Sequence, residues 1–144
     1  MKRIPASACL VALVVGLLLV GVVGGTPLRH LLQAAPALAL LAVRGRARAW
    51  TSFAALAVFV FWFGIMSLIW LYLLGLARIV TGHFTRVEIA LTLVIGGAAL
   101  LGIVAVIRGR EPSSALARGA AFLVAAAIQV GTTWLSVQPM FATR

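Results

Sequence analysis

The side chains able to do chemistry are few: Glu88, Glu111, His30, His83 and Cys9, in 144 residues with no aspartate. Hydrolysis and phosphoryl transfer need a nucleophile with a base, or a metal cage, and redox chemistry needs a cofactor site. Both glutamates fall at the ends of apolar runs, without a partner acid at acid–base or metal spacing. The lone cysteine excludes an intrachain disulfide and a multi-cysteine metal site, and its small apolar neighbours read as packing. His30 and His83 are open to two readings. Two histidines on facing helices can hold a haem iron. Each, however, stands at a segment end with no metal spacing around it, which favours interfacial polar residues. No catalytic, metal or cofactor-binding residue is assigned, no cofactor is expected, and the chain reads as non-enzymatic.

The elements that must position these groups are apolar. The composition is 64% hydrophobic and 10% charged, with mean hydropathy +1.19. A soluble protein of this length could not hide that much apolar surface, so the chain reads as a polytopic membrane protein. Five apolar runs cover 4–23, 27–43, 52–77, 87–107 and 115–137. In lipid the backbone must satisfy its own hydrogen bonds, and the alternation of a barrel is absent, so these runs are helices. The fold class is an all-α membrane bundle of five transmembrane helices, or four plus one re-entrant, forming a single domain over 1–144. The second run, 17 residues, is slightly short for a core of ~30 Å. The third, 26 residues, exceeds it and should tilt or bend, with Gly64 the candidate hinge. The first run follows Lys2 and Arg3 and is long for a signal peptide, with only a weak cleavage site at Val23-Gly24-Gly25. It reads as a retained anchor.

The formal charge is +10, from 12 basic and 2 acidic residues. The positives lie in short clusters between apolar runs, where they set topology and meet lipid headgroups; no basic stripe with interleaved aromatics suggests nucleic acid, and none is expected as a partner. With five spans and the N-terminus cytoplasmic, Lys2, Arg3, Arg44, Arg46, Arg48, Arg108, Arg110 and Arg118 lie inside. Only Arg29, Arg78, Arg86 and Arg144 lie outside. That bias places the C-terminus outside. Arg29 and Arg78, near segment ends, read as snorkelling anchors. Trp50, Trp70, Tyr72 and Trp134 sit near segment ends as interface anchors should. The Ala, Gly, Val, Leu and Arg bias with one Lys points to a GC-rich bacterial genome, hence to the bacterial inner membrane.

Small residues carry the most specific pattern. Gly21 and Gly25 form a GxxxG; Gly96, Gly97 and Gly102 mark the fourth run; Gln129 and Thr132 share a face of the fifth. Such faces let backbones approach and allow hydrogen bonds across helices, at about 0.6–2 kcal/mol each. They serve either packing within the chain or a surface toward other membrane subunits or a second copy. Trp62 and the phenylalanines at 53, 59, 61 and 63 lie deeper, where they form either packing or a groove for a quinone or lipid tail.

The stretch from Pro36 through Val43-Arg-Gly-Arg46 into Ala49-Trp50-Thr51-Ser52-Phe53, the aromatic run with Phe63-Gly64-Ile65, and Arg86-Val-Glu88 leading to Arg108-Gly-Arg110 carry a resemblance. Over about residues 34–110 the chain resembles a family of small bacterial inner-membrane proteins of unknown function. The resemblance implies the membrane location and brings no activity. From the residues, the leading expectation is a non-enzymatic accessory, assembly or structural membrane component. The alternatives are a small oligomeric transporter or channel, and a lipid- or quinone-binding membrane protein. Pumps and proton-coupled transporters usually keep a mid-membrane acid, and no run here contains one.

Overall fold

A computed structural model describes residues 5–43, 48–80, 82–109 and 113–142. They fold into α1 (Ala6–Val23), α2 (Pro27–Ala42), α3 (Arg48–Leu73), α4 (Arg86–Arg108), α5 (Ala115–Ser136) and the short α6 (Pro139–Ala142), with no strand among them. Four of these helices, α1, α3, α4 and α5, are long and apolar enough to cross a membrane, with mean hydropathies of 2.8, 2.3, 2.6 and 1.5. The protein is an all-α, multi-pass membrane bundle. The fifth helix, α2, has 16 residues and is about 24 Å long. It packs on α1 and α5 as a full member of the bundle.

The ends of the helices are written in local chemistry. Gly25 takes φ 69° and closes α1 with bonds from its own N–H to Val22 O (3.3 Å) and from Thr26 N–H to Gly21 O (2.8 Å). Gly75, at φ 74°, closes α3 the same way, with Leu76 N–H on Leu71 O (2.9 Å). Both are Schellman turns, which need a left-handed residue after the helix. The apolar run read as reaching residue 77 therefore stops at Leu73, because Gly75 turns the backbone although Leu74, Leu76 and Ala77 are apolar. At its other end α3 begins one turn before the expected residue 52, at Arg48. Gly25 is a turn residue and not a packing one: a Cβ there would meet nothing within 4 Å. The helix α4 starts with a capping box on Thr85-Arg-Val-Glu88, and Ser114 caps α5 by accepting the Ala117 N–H at 3.2 Å.

Sequence neighbours are not always neighbours in space. Packing runs α1–α4–α3–α5–α2 and back to α1, so α4 and α5, joined by a short loop, do not pack together. The core lies where α3 faces the rest, and Val58 and Phe59 are fully buried in it. Close approach depends on absent side chains. A Cβ on Gly16 would lie 2.7 Å from Ile95 Cγ1, and one on Gly102 would clash with Cζ and both Cε atoms of the Phe59 ring. Gly96 lies beside Met66, at 3.4 Å from a Cβ to Met66 Cβ. Gly97 differs from the expectation. It points outward, with nothing within 4 Å of a Cβ, because the adjacent face carrying Ala98, Ala99 and Gly102 is the one turned inward. Gly64, read as a hinge, lies in the uninterrupted helix α3 and also faces outward.

Candidate functional site

Six chain segments converge at one end of the ring: the end of α1 with the turn after it, the start of α2, the end of α3, the α3–α4 connector, the start of α4 and the end of α5. They enclose a cavity of about 500 Å³, within the roughly 300–1,000 Å³ typical of small-molecule sites. Its wall is two-sided in character. Trp62, Ile65, Met66 and Ile69 of α3 form an apolar strip, faced by Leu17 and Ile95. Arg29, His30, Gln33, His83, Glu88 and Thr92 supply polar groups.

Each polar group is placed by a local device. The bare Gly21 lets α2 approach α1 so closely that a Cβ there would fall 2.7 Å from His30 Cβ. His30 Nδ1 then lies 3.2 Å from Thr26 Oγ1 and 3.1 Å from Thr26 O, which fixes the imidazole through one nitrogen. Arg29 and Gln33 are i and i+4 on α2, so they share a face. Gln33 is buried and donates from Nε2 to Ser136 Oγ at 2.9 Å. Gln129 donates from Nε2 to Gln33 O and to Thr133 Oγ1, both at 3.2 Å. Ser136 in turn donates to Thr133 O at 2.6 Å. This seam ties α2 to α5 at the edge of the cavity.

Glu88 is held by its capping role. Its Oε2 accepts the Thr85 N–H at 2.7 Å and the Thr85 hydroxyl at 2.8 Å, while Glu88 N–H donates to Thr85 Oγ1 at 3.2 Å. The α3–α4 connector is pinned over the cavity by Tyr72, whose hydroxyl donates to Gly82 O at 3.1 Å. Gly82, His83 and Phe84 also line a neighbouring hollow that carries Arg78.

Two donors remain unmatched. Arg29 Nε and Trp62 Nε1 are both buried without a hydrogen-bond partner, and both residues line the cavity. Buried N–H groups left without an acceptor are uncommon and costly, by about 1–3 kcal/mol each.

No family model matches the chain, and no curated protein or solved structure matches it. The site therefore rests on its own geometry.

The residues singled out in the sequence divide among several roles. Gly21 packs against His30, Gly96 against Met66 and Gly102 against Phe59. Gln129 is fully buried and bonds across to α2, whereas Thr132 bonds within its own helix, to Ile128 O (3.0 Å) and Gln129 O (3.1 Å). Trp50 and Trp134 are exposed on the outside of the bundle, and Arg108 is exposed in the last turn of α4. Arg44, Arg46 and Arg110 lie outside the described residues, as does the side chain of Arg48. At the end opposite the cavity, Arg118 sits 5.6 Å above the Phe53 ring. The cavity itself was not legible. Arg29 read as an anchor and His30 and His83 as separate interfacial residues, yet all three line one cavity. The available signal was the polar i, i+1, i+4 cluster Arg29, His30 and Gln33 on the shortest run.

Proposed function

We propose that this membrane protein binds a small amphipathic molecule, of the lipid or quinone class, in the cavity at the end of its helix ring, and does so as a non-enzymatic component. The observation that carries this reading is the amphipathic wall: an apolar α3 strip faces a polar side, and each side carries one buried donor without an acceptor, Trp62 Nε1 on the strip and Arg29 Nε across from it. A ligand with an apolar body and an acceptor-rich end satisfies both halves at once. Binding is favoured over catalysis because two of the titratable groups on the cavity hold structure: Glu88 caps α4 and His30 is fixed by Thr26. The positive-inside bias supports a cytoplasmic N-terminus in a bacterial inner membrane, which puts the cavity mouth on the outer side.

The test uses a variant in which Trp50, Trp70 and Trp134 are phenylalanine, so that Trp62 in the cavity wall is the remaining fluorophore. In maltoside micelles, octanol, octyl phosphate and octyltrimethylammonium are titrated while Trp62 emission is followed. The expected result is a saturable shift with at least one probe, abolished by Thr92→Phe and by Val20→Phe, each of which narrows the cavity. Absence of a saturable shift with all three probes contradicts the proposal.

A further inference from the structure

We infer that the polar end of the ligand is an anion, a phosphate or carboxylate group, received by Arg29; this rests on the binding function proposed above. Arg29 contributes a permanent charge, and His30 and His83 are further nitrogen groups on the same wall. Arg78 stands in the adjoining hollow across Gly82, His83 and Phe84. The one acid on the cavity, Glu88, has its Oε2 occupied by two donors from Thr85 at the positive N-terminus of α4.

Arg29 is the decisive residue. An arginine at a membrane-helix end ordinarily snorkels, its stem in the apolar layer and its head in water. Here the side chain is half-buried beside the cavity and its Nε has no acceptor. A guanidinium offers a planar set of donors that matches the two oxygens of a carboxylate or phosphate. Its Nε is one of the donors used in such paired contacts, so an anion seated on this edge supplies the missing acceptor. A neutral carbonyl fits less well, because it leaves the guanidinium charge uncompensated in an enclosure with an apolar wall. The apolar strip from Trp62 to Ile69 then receives the hydrocarbon body.

A headgroup of an amphiphile and a free anion share this chemistry, and the experiment separates them. Binding of octyl phosphate, octanol and inorganic phosphate is measured by Trp62 emission in maltoside micelles. Octyl phosphate should bind about tenfold or more tightly than octanol, the scale of a hydrogen bond to a charged group. Arg29→Gln should erase that preference, bringing octyl phosphate down to the affinity of octanol, and Arg29→Lys should keep most of it. Glu88→Gln removes a like charge and should tighten octyl phosphate, the opposite sign to Arg29→Gln. A purely structural role for Arg29 would not produce opposite shifts. Equal affinity for octanol and octyl phosphate, or a preference that survives in Arg29→Gln, overturns the inference while leaving the amphiphile site standing. Millimolar inorganic phosphate that displaces octyl phosphate supports the anion site at Arg29 but counts against the amphipathic ligand. No binding of any probe removes both.

Discussion

Around Phe59 the bundle is closed: its ring lies against the bare Gly102, and Val58, Ala55 and Ala99 fill the space beside it. About two turns further along α3, Met66 still packs on Gly96 of α4, but Met66 and Ile69 also border a cavity of roughly 500 Å³. The difference comes from which residues the ring order brings together. In the closed region α3 meets small residues on α4, and backbones approach. In the open region α3 meets Arg29, His30, Thr92 and Glu88, whose polar ends cannot be packed into an apolar core without partners. In a bilayer, helices gain little from hiding apolar surface from lipid, so tight packing and satisfied polar bonds must hold the bundle. A region that keeps polar groups in an open cavity gives up part of that stabilisation, and such regions are candidates for function.

The largest expected effect lies in the closed region. Gly102→Leu drives a side chain into the Phe59 ring and should cost about 3 kcal/mol or more, seen as poor accumulation or a sharply lowered melting temperature in detergent. Gly97→Leu, only five positions away, should be close to neutral, because nothing lies within 4 Å of a Cβ there. Equal damage from both would break the contrast between an inward and an outward face of α4.

Next in size is the seam at the cavity edge. Gln129→Leu loses the bonds to Gln33 O and Thr133 Oγ1 and should lower stability by about 1–2 kcal/mol, measured by thermal melting in detergent. Gln129 Oε1 is itself buried without a partner, which offsets part of the loss. A result within error of wild type would mean that the α2–α5 contact does not depend on this bond.

Smaller still is the cap. Glu88→Ala removes the reciprocal half of the Thr85 capping box and should cost about 1 kcal/mol, read from the same melting curves. Removing an exposed, unengaged charge would have no such effect.

These residues also show what the chain reveals before folding. The membrane location and the helices follow from long apolar runs, which are a local property. The capping box is local too, written as Thr85-x-x-Glu88. Gly75 ends α3 inside an apolar stretch because backbone conformation and not hydropathy decides a helix end there. Gly97 and Gly102 look alike in sequence, and only the packing of α4 against α3 tells them apart. The cavity is the least legible part, because it depends on a spatial order in which α4 sits between α1 and α3 and α5 between α3 and α2. No local pattern encodes that order, so Arg29, His83 and Trp62 do not look like members of one site.

The largest expected effect on binding comes from filling the cavity. Thr92→Phe extends a buried side chain on the cavity wall and should cost about 1–3 kcal/mol. The central claim, a ligand site in the open end of the ring, is tested most directly by native mass spectrometry of the protein released from maltoside micelles with octyl phosphate. Wild type should carry one octyl phosphate per chain, and Thr92→Phe, still folding cooperatively at a modestly lowered melting temperature, should carry none. Equal adducts on both proteins, or a ladder of non-stoichiometric adducts on each, would contradict the account.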